Sequence, residues 1–156
     1  MRPAIIILSL SLLWAGCSKN NPVLPVVADT IQSDNLQVTF SIPRSSYGVH
    51  DTLEATTTVY NPRDTTVSLY IPNCWPIAWY SVQDDSGATR LSYSHPPHGC
   101  NSGLGYSIPP HQSQKIFQLT VMIAIADLNG TQNAQGSYVL TVNDVFGIFS
   151  LKFKVN

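Results

Sequence analysis

Leu36–Ile42 reads LQVTFSI, and the alternation within this segment decides the fold class of the chain. Every second residue from Leu36 to Ile42 is apolar, and the residues between them are Gln, Thr and Ser. Successive side chains of a strand point to opposite faces of a sheet, so this period predicts a strand with one buried face and one solvent face. Pro43 has no amide hydrogen to donate and therefore ends the strand.

The same two-residue period recurs along the chain, separated by turn-forming stretches such as residues 44–50. It predicts further strands at residues 53–60, 67–71, 77–83, 88–93, 113–124 and 138–142, with a brief edge segment at 104–108. A last strand is predicted to begin at Phe146 or Ile148 and to end at Val155. No convincing helix follows residue 16. Short strands between turns predict seven or eight strands in an antiparallel β-sandwich of immunoglobulin or fibronectin-III type. An eight-stranded barrel is the alternative.

The first 16 residues have the organisation of a signal peptide. Arg2 supplies a positive charge, residues 4–15 are mostly apolar, and Ala15-Gly16 directly precede Cys17. This junction resembles the lipobox of bacterial lipoproteins. The resemblance implies that residues 1–16 are a helical lipoprotein signal peptide and that Cys17 carries acyl chains such as palmitate. An ordinary secretory signal and an uncleaved anchor are the alternatives, and the run is too short to be a spanning helix of about 20 residues.

Residues 17–34 are predicted to be the lipidated Cys17 and a flexible tether, because they hold prolines, small polar residues and no clear period. The β-sandwich domain is predicted to span residues 35–156. Acyl chains would make the membrane a partner, since two or more chains give stable anchoring. Ser18, rather than Asp, follows the Cys, which favours the outer membrane or cell surface over the inner membrane. The predicted location is therefore the cell envelope.

The charge balance argues against nucleic acid as a partner. The chain has 8 Lys and Arg against 9 Asp and Glu, and no basic stripe. Charged residues make up 11% of the chain, well below the usual share of about 25%. Such a surface is common in exported β-rich proteins.

Two cysteines remain once Cys17 is assigned to the anchor. Cys74 and Cys100 are an even pair in an oxidising compartment, which predicts a disulfide. It would close a loop of about 26 residues and stabilise the fold by about 3.5 kcal/mol. Free thiols and a metal site with His95 and His98 are the alternatives. No CxxC or HxxxH spacing supports metal ligation, so no metal and no cofactor are predicted.

Five local patterns occur in order along the chain: Val-Tyr-Asn-Pro at 59–62, TTVSL at 65–69, VQDDSG at 82–87, IPPHQS at 108–113 and QGSYVL at 135–140. Together they resemble the BsuPI family, the intracellular proteinase inhibitor domains. The resemblance covers roughly residues 36–143 and implies an immunoglobulin-like fold and inhibition of proteinases. His111 stands where the family usually has Gly, and no inhibitory residue can be carried over to this chain.

Aromatic residues bracket the Cys74–Cys100 loop, and two interpretations are open. They form either core packing around the disulfide or an exposed binding surface stiffened by neighbouring prolines, which lower the entropy cost of binding. The residues are Trp75, Trp79, Tyr80, Tyr93 and Tyr106.

No pattern in the chain has the spacing of a catalytic site. There is no G-x-S-x-G elbow, and adjacent His50 and Asp51 would point to opposite faces of a strand. Asp127-Leu128-Asn129-Gly130 lacks the later ligands of a calcium loop. The chain is therefore predicted to be a membrane-anchored, non-enzymatic envelope lipoprotein whose β-sandwich is a protein-binding or regulatory module. A proteinase inhibitor is the alternative, so the partner is a protease or another envelope protein, and an envelope hydrolase is the third reading.

Overall fold

The computed structural model describes residues 26–72, 76–95, 102–128 and 135–156, and most of these residues lie in strands. In chain order the strands are β1 (Val27–Ser33), β2 (Leu36–Ile42), β3 (Ser46–Tyr47), β4 (Thr52–Tyr60), β5 (Val67–Pro72), β6 (Ile77–Asp84), β7 (Thr89–Ser94), β8 (Gly103–Ile108), β9 (Ser113–Ala124), β10 (Gly136–Asp144) and β11 (Gly147–Val155). A turn of 3-10 helix, Ile125–Leu128, follows β9. The described part of the chain holds no helix long and apolar enough to cross a membrane.

The described strands form two sheets and a two-stranded ribbon. Sheet A has the order β1-β2-β4-β9, sheet B has the order β3-β11-β10-β6-β7, and the ribbon pairs β5 with β8. These pairings are antiparallel except that of β3 with β11. The predicted all-β sandwich is confirmed, and the described strands do not close into the alternative barrel.

The core lies between the two sheets and is made from the apolar half of each alternating strand. Phe40 and Ile42 of the LQVTFSI segment are fully buried. Phe40 of sheet A meets Phe149 of sheet B with ring centroids 5.6 Å apart. A buried aromatic or aliphatic side chain contributes roughly 1.5–3 kcal/mol, so contacts of this kind hold the sheets together.

Most strands lie where the two-residue period predicts them. The bounds of β2 and β9 match the predicted ones, and the other predicted strands agree to within two residues. The described residues contain eleven strands rather than seven or eight. The difference includes β1, which lies in the predicted tether, and β3, which lies in a stretch predicted as a turn.

Strand β1 shows that the predicted tether is wrong over residues 27–33, which pair with the whole of β2. The half-buried side of β1 includes Asp29, whose Oδ2 accepts a hydrogen bond from Ser150 N at 2.8 Å. A carboxylate at that inward position interrupts the apolar period by which the strand would be recognised. Residues 1–25, including the predicted signal peptide and Cys17, lie outside the described residues.

Strand β9 carries a large bulge. Thr57 of β4 faces Ile116, but Ala55, two residues earlier, faces Val121, so five residue steps on β9 match two on β4. Bulges of this kind bend a strand and redirect its side chains. The predicted alternation along β9 therefore fails there, and Ile116 and Leu119 are both fully buried although they are an odd number of residues apart.

The carboxyl group of Asp144 is buried beside this bulge. Its Oδ1 accepts hydrogen bonds from the backbone N–H groups of Phe146 at 2.8 Å and Gly147 at 3.2 Å, which fixes the turn between β10 and β11. Thr57 Oγ1 lies 3.4 Å from Asp144 Oδ2 and 3.4 Å from the carbonyl oxygen of Leu119. Burial raises the pKa of Asp144 from 3.8 to about 6, and these hydrogen bonds only partly oppose the shift.

Asp144→Asn is expected to stabilise the protein at neutral pH. Below pH 3.8 the wild-type carboxyl is protonated in both states, but between 3.8 and about 6 the unfolded state loses its proton first. Stability therefore falls as the pH rises through this window, by on the order of 3 kcal/mol, and an uncharged amide removes most of that loss. Denaturant unfolding of wild type and variant at about pH 4 and about pH 8 gives the change in the free energy of unfolding between the two pH values for each protein. The other titrating groups contribute equally to both proteins, so they cancel when the two changes are subtracted.

Thr57→Val is the companion variant for this prediction. Valine keeps the shape of threonine but cannot donate to Asp144 Oδ2, so the pKa of Asp144 should rise further. The loss of stability with rising pH should then be larger than in the wild type. An Asp144→Asn protein with the same pH dependence as the wild type would contradict the role assigned to this carboxyl.

Candidate functional site

The predicted site residues fall into two groups in the structure. Those outside the described residues are Cys17, Cys74, Trp75 and Cys100. The others, Trp79, Tyr80, Tyr93 and Tyr106, belong to β6, β7 and β8.

A pair of stacked tyrosine rings forms the centre of the candidate site. Tyr80 of β6 lies directly opposite Tyr93 of β7, and their ring centroids are 5.2 Å apart with an angle of 23° between the planes. The imidazole of His95 stands edge-on to Tyr93 at 4.6 Å and is hydrogen-bonded through Nε2 to the Tyr93 hydroxyl. Tyr80 packs against the core, whereas 40% of the surface of Tyr93 is exposed.

The bulged strand β9 lies opposite the Tyr80–Tyr93 pair. The pair and β9 line a cleft with a volume of about 290 Å³. Thr120, Val121 and Met122 are consecutive yet all line it, as expected where the alternation of a strand is broken. We call this space the aromatic cleft. Its lining residues are Pro76, Ile77, Tyr80, Tyr93, His95, Gln118, Thr120, Val121 and Met122.

The polar side chains of the aromatic cleft are hydroxyl, amide and imidazole groups. Tyr106 of β8 donates its hydroxyl hydrogen to Gln118 Oε1, which orients the Gln118 amide. Thr120 Oγ1 is buried and has no hydrogen-bond partner among the described residues. Burial raises the pKa of Tyr80, with smaller contributions from Tyr93 and Asp127, so its hydroxyl stays neutral at physiological pH.

The structure does not bring Trp79 to the aromatic cleft. Neighbouring residues of a strand point to opposite faces, so Trp79 lies on the other face of β6 from Tyr80. Its cross-strand neighbours there are Ser94 and Asn143. Of the two interpretations left open by the sequence, a binding surface shared by all five aromatic residues would have to omit Trp79, and Tyr106 reaches the cleft only through Gln118.

Sequence reasoning missed the β9 wall of the cleft. Gln118, Thr120 and Met122 occupy a strand of ordinary alternating appearance, and no residue in it signals a bulge. Only the hydrogen-bond register between β9 and β4 shows that the alternation of inward and outward side chains is interrupted in β9.

The carboxylates of Asp84 and Asp51 are held by contacts with residues close to them in the chain. Asp84 accepts hydrogen bonds from Ser86 and Ala88 and pairs with Arg90 at 2.6 Å, and these contacts lower its pKa to about 2. Asp51 accepts from Gly48 N at 2.7 Å. No group of three or more His, Cys, Asp or Glu residues that could hold a metal ion occurs in the described ranges.

Comparison with known proteins assigns no family to the chain. No protein-family model matches the chain, and no curated protein matches it. The resemblance to the BsuPI family therefore stays a prediction.

Solved structures with some likeness to the chain include two β-glucosidases. The enzyme from Listeria innocua in complex with gluconolactone has a TM-score of 0.40 and 13% identity over 78% of this chain. The enzyme from Erythrobacter marinus has a TM-score of 0.39 and 14% identity over 84% of this chain. This chain spans 16% of the length of each enzyme.

The CARDB domain of a Pyrococcus furiosus protein has a TM-score of 0.32 and 13% identity, covering 83% of this chain and 90% of that one. Likenesses at this level carry no assignment of function.

Proposed function

We propose that this protein is a lipid-anchored, non-enzymatic envelope lipoprotein whose β-sandwich binds a partner protein through the aromatic cleft. The observation that supports this most directly is the position of the stacked pair Tyr80 and Tyr93. The pair lies where β7 and β9, each with a single neighbour among the described strands, border a cleft. Edge strands offer free backbone groups to an extended partner, and a pocket beside them selects its side chains.

The lining of the aromatic cleft suits one large apolar or aromatic side chain of that partner. Tyr93, Ile77 and Met122 supply apolar contact, while Thr120 and Gln118 supply hydrogen-bonding groups at the side. Interface residues that carry most of the binding energy are commonly aromatic and sit in such pockets. Apolar and aromatic groups with hydrogen-bonding groups beside them make up most of the described lining, which supports binding of a side chain.

Tyr93→Ala is expected to weaken partner binding by roughly tenfold or more, because an exposed tyrosine beside a pocket is a common centre of binding energy. The partner is first captured by crosslinking in intact envelopes, and its affinity for the purified full-length protein is then measured. Tyr70→Ala is the matched control, since Tyr70 is 64% exposed and does not line the cleft. Equal loss in both variants, or no loss in either, would refute the assignment.

The anchor is tested separately at Cys17. Cys17→Ser is expected to abolish acylation and lipoprotein-type processing, because the serine hydroxyl cannot replace the thiol in that modification. Mass spectrometry of the N-terminal peptide from the wild type should show a mature chain that begins at an acylated Cys17. An unmodified N-terminus would refute the anchor.

A proteinase inhibitor is the second candidate function, and the resemblance to BsuPI domains is what favours it. The full-length protein is titrated against a subtilisin-like protease and residual activity is measured. Stoichiometric inhibition that survives Tyr93→Ala would replace the binding-module proposal with the inhibitor.

A further inference from the structure

A second groove, on sheet B, is lined by lysine and serine side chains together with Tyr138, Val139 and Phe153. Lys154 of β11 lies between Ser137 of β10 and Ser46 of β3, its cross-strand neighbours on either side. Lys152 is two residues from Lys154 on the same face of β11. The groove has a volume of about 490 Å³, and Ser45 and Asp85 also line it. We call it the lysine groove.

The two lysines of this groove form no ion pair with any carboxylate of the described residues. Among the described cations, Arg44, Arg90 and Lys115 form ion pairs with carboxylates, whereas Lys152 and Lys154 form none. Both lysines are exposed. The groove therefore carries two positive charges against the single carboxylate of Asp85.

The serines supply hydrogen-bond donors around these charges. Ser46 Oγ accepts a hydrogen bond from Asn156 Nδ2 at 2.5 Å, which leaves the hydroxyl hydrogen of Ser46 free to donate. Ser45 and Ser137 add further hydroxyl groups to the lining. Ammonium groups flanked by hydroxyl donors suit the oxygens of a phosphate group.

The groove lies at the end of the sandwich from which the chain leads back to Cys17. Val27 at the start of β1 pairs with Ile42 at the end of β2, and the chain then crosses to sheet B, where Ser46 pairs with Lys154. The ten residue steps from Cys17 to Val27 can extend at most about 36 Å. An anchor at Cys17 therefore holds this end of the domain within that distance of the lipid surface.

We propose that the lysine groove binds the phosphate of an anionic lipid headgroup in the membrane that carries the anchor. This proposal rests on the proposed anchor for its source of phosphate, and it does not depend on the aromatic cleft. The contact would fix the orientation of the domain. The stacked pair Tyr80 and Tyr93 lies at the level of Val142 on β10, five residues from Ser137, which places it about 16 Å further from the membrane.

The test is lysine protection in the full-length acylated protein. The protein is reconstituted into vesicles of phosphatidylcholine alone or of phosphatidylcholine with phosphatidylglycerol. A neutral acetylating reagent is added, and the modification rate of each lysine is read by mass spectrometry. Lys152 and Lys154 should react at least about fivefold more slowly on the anionic vesicles, which is the factor that one lysine contributes near such a surface. Lys115, on sheet A and paired with Glu54, lies beside Val26 and Pro43 at the same end of the domain. It therefore reports general attraction to the anionic surface, and we expect it to be protected clearly less than Lys152 and Lys154.

A Ser46→Ala, Ser137→Ala double variant separates a built site from general attraction to an anionic surface. It keeps both lysines, and we expect it to lose at least half of their protection. Asp85→Asn should increase the protection, because it removes the carboxylate from the groove.

Equal rates on both vesicles, or equal protection of Lys115, would overturn the proposal. So would protection by inorganic phosphate on phosphatidylcholine vesicles with no further effect of phosphatidylglycerol. The acyl chains on Cys17 are verified in the same spectra, so unprotected lysines on an acylated chain would count against the groove and not against the anchor.

Discussion

Replacing Asn61 with Ala is expected to lower the free energy of unfolding by about 3–4 kcal/mol and the melting temperature by roughly 10 °C. The side chain is fully buried, and its Nδ2 lies 2.9–3.1 Å from the carbonyl oxygens of Thr65, Ile108 and Pro109. Its Oδ1 accepts from the backbone N–H of Arg63 at 3.0 Å. Alanine would leave these backbone groups without their partner, and each buried unsatisfied group costs about 1–3 kcal/mol.

Asn156→Ala is the matched control, because Asn156 is an exposed asparagine whose Nδ2 makes one hydrogen bond. We expect it to change the stability by less than about 1 kcal/mol. Asn61→Asp is the sharper test, since an ionised carboxylate would face carbonyl oxygens to which it cannot donate. Its destabilisation should grow as the pH rises. Unfolding curves that give Asn61→Ala the stability of the wild type would refute this role.

The structural role of Asn61 gives a physical reason for one of the sequence patterns that resemble BsuPI domains. Asn61 belongs to the Val-Tyr-Asn-Pro pattern that resembles BsuPI domains. In the structure it ties the loop after β4 to the turn between β8 and β9. A position of this kind maintains a fold and gives no indication of inhibitory activity.

Loss of the predicted disulfide between Cys74 and Cys100 is expected to cost about 3.5 kcal/mol. Both cysteines lie outside the described residues, so the pairing stays a prediction, and only the spacing of their neighbours along the chain can be compared with it. Pro72 at the end of β5 is opposite Gly103 at the start of β8. Cys74 is two residues beyond Pro72 and Cys100 is three residues before Gly103, so the Cα separation of about 6 Å in a disulfide is within reach.

Thiol titration of the folded, non-reduced protein is the direct measurement of this bond. We expect Cys74 and Cys100 to become reactive only after reduction, and the melting temperature to fall by several degrees or more at that point. A Cys74→Ser, Cys100→Ser variant should melt like the reduced wild type and be unaffected by reductant. Two reactive thiols before reduction would refute the disulfide, and one bound equivalent of zinc would favour the metal alternative.

The candidate site could be predicted in part from the sequence. Counting outward from the turn at 84–87 puts Tyr80 and Tyr93 at about the same level of a hairpin, and the structure stacks their rings. The two-residue period of a strand also places Trp79 on the opposite face from Tyr80. Grouping aromatic residues only because they are close in the sequence misses this separation. The wall formed by Gln118 and Thr120 could not be predicted, because it depends on the register of β9 with β4.

The sequence by itself determined the class of the fold and the position of most strands. Alternation such as that of Leu36–Ile42 is a local property, because each strand carries the pattern of its own two faces. The tertiary structure alone decided that β1 joins sheet A, that β9 bulges, and that Lys154 lies between two serines. These features depend on which strands become neighbours. Thr57 and Asp144, for example, are 87 residues apart in the chain, and no local pattern encodes their contact.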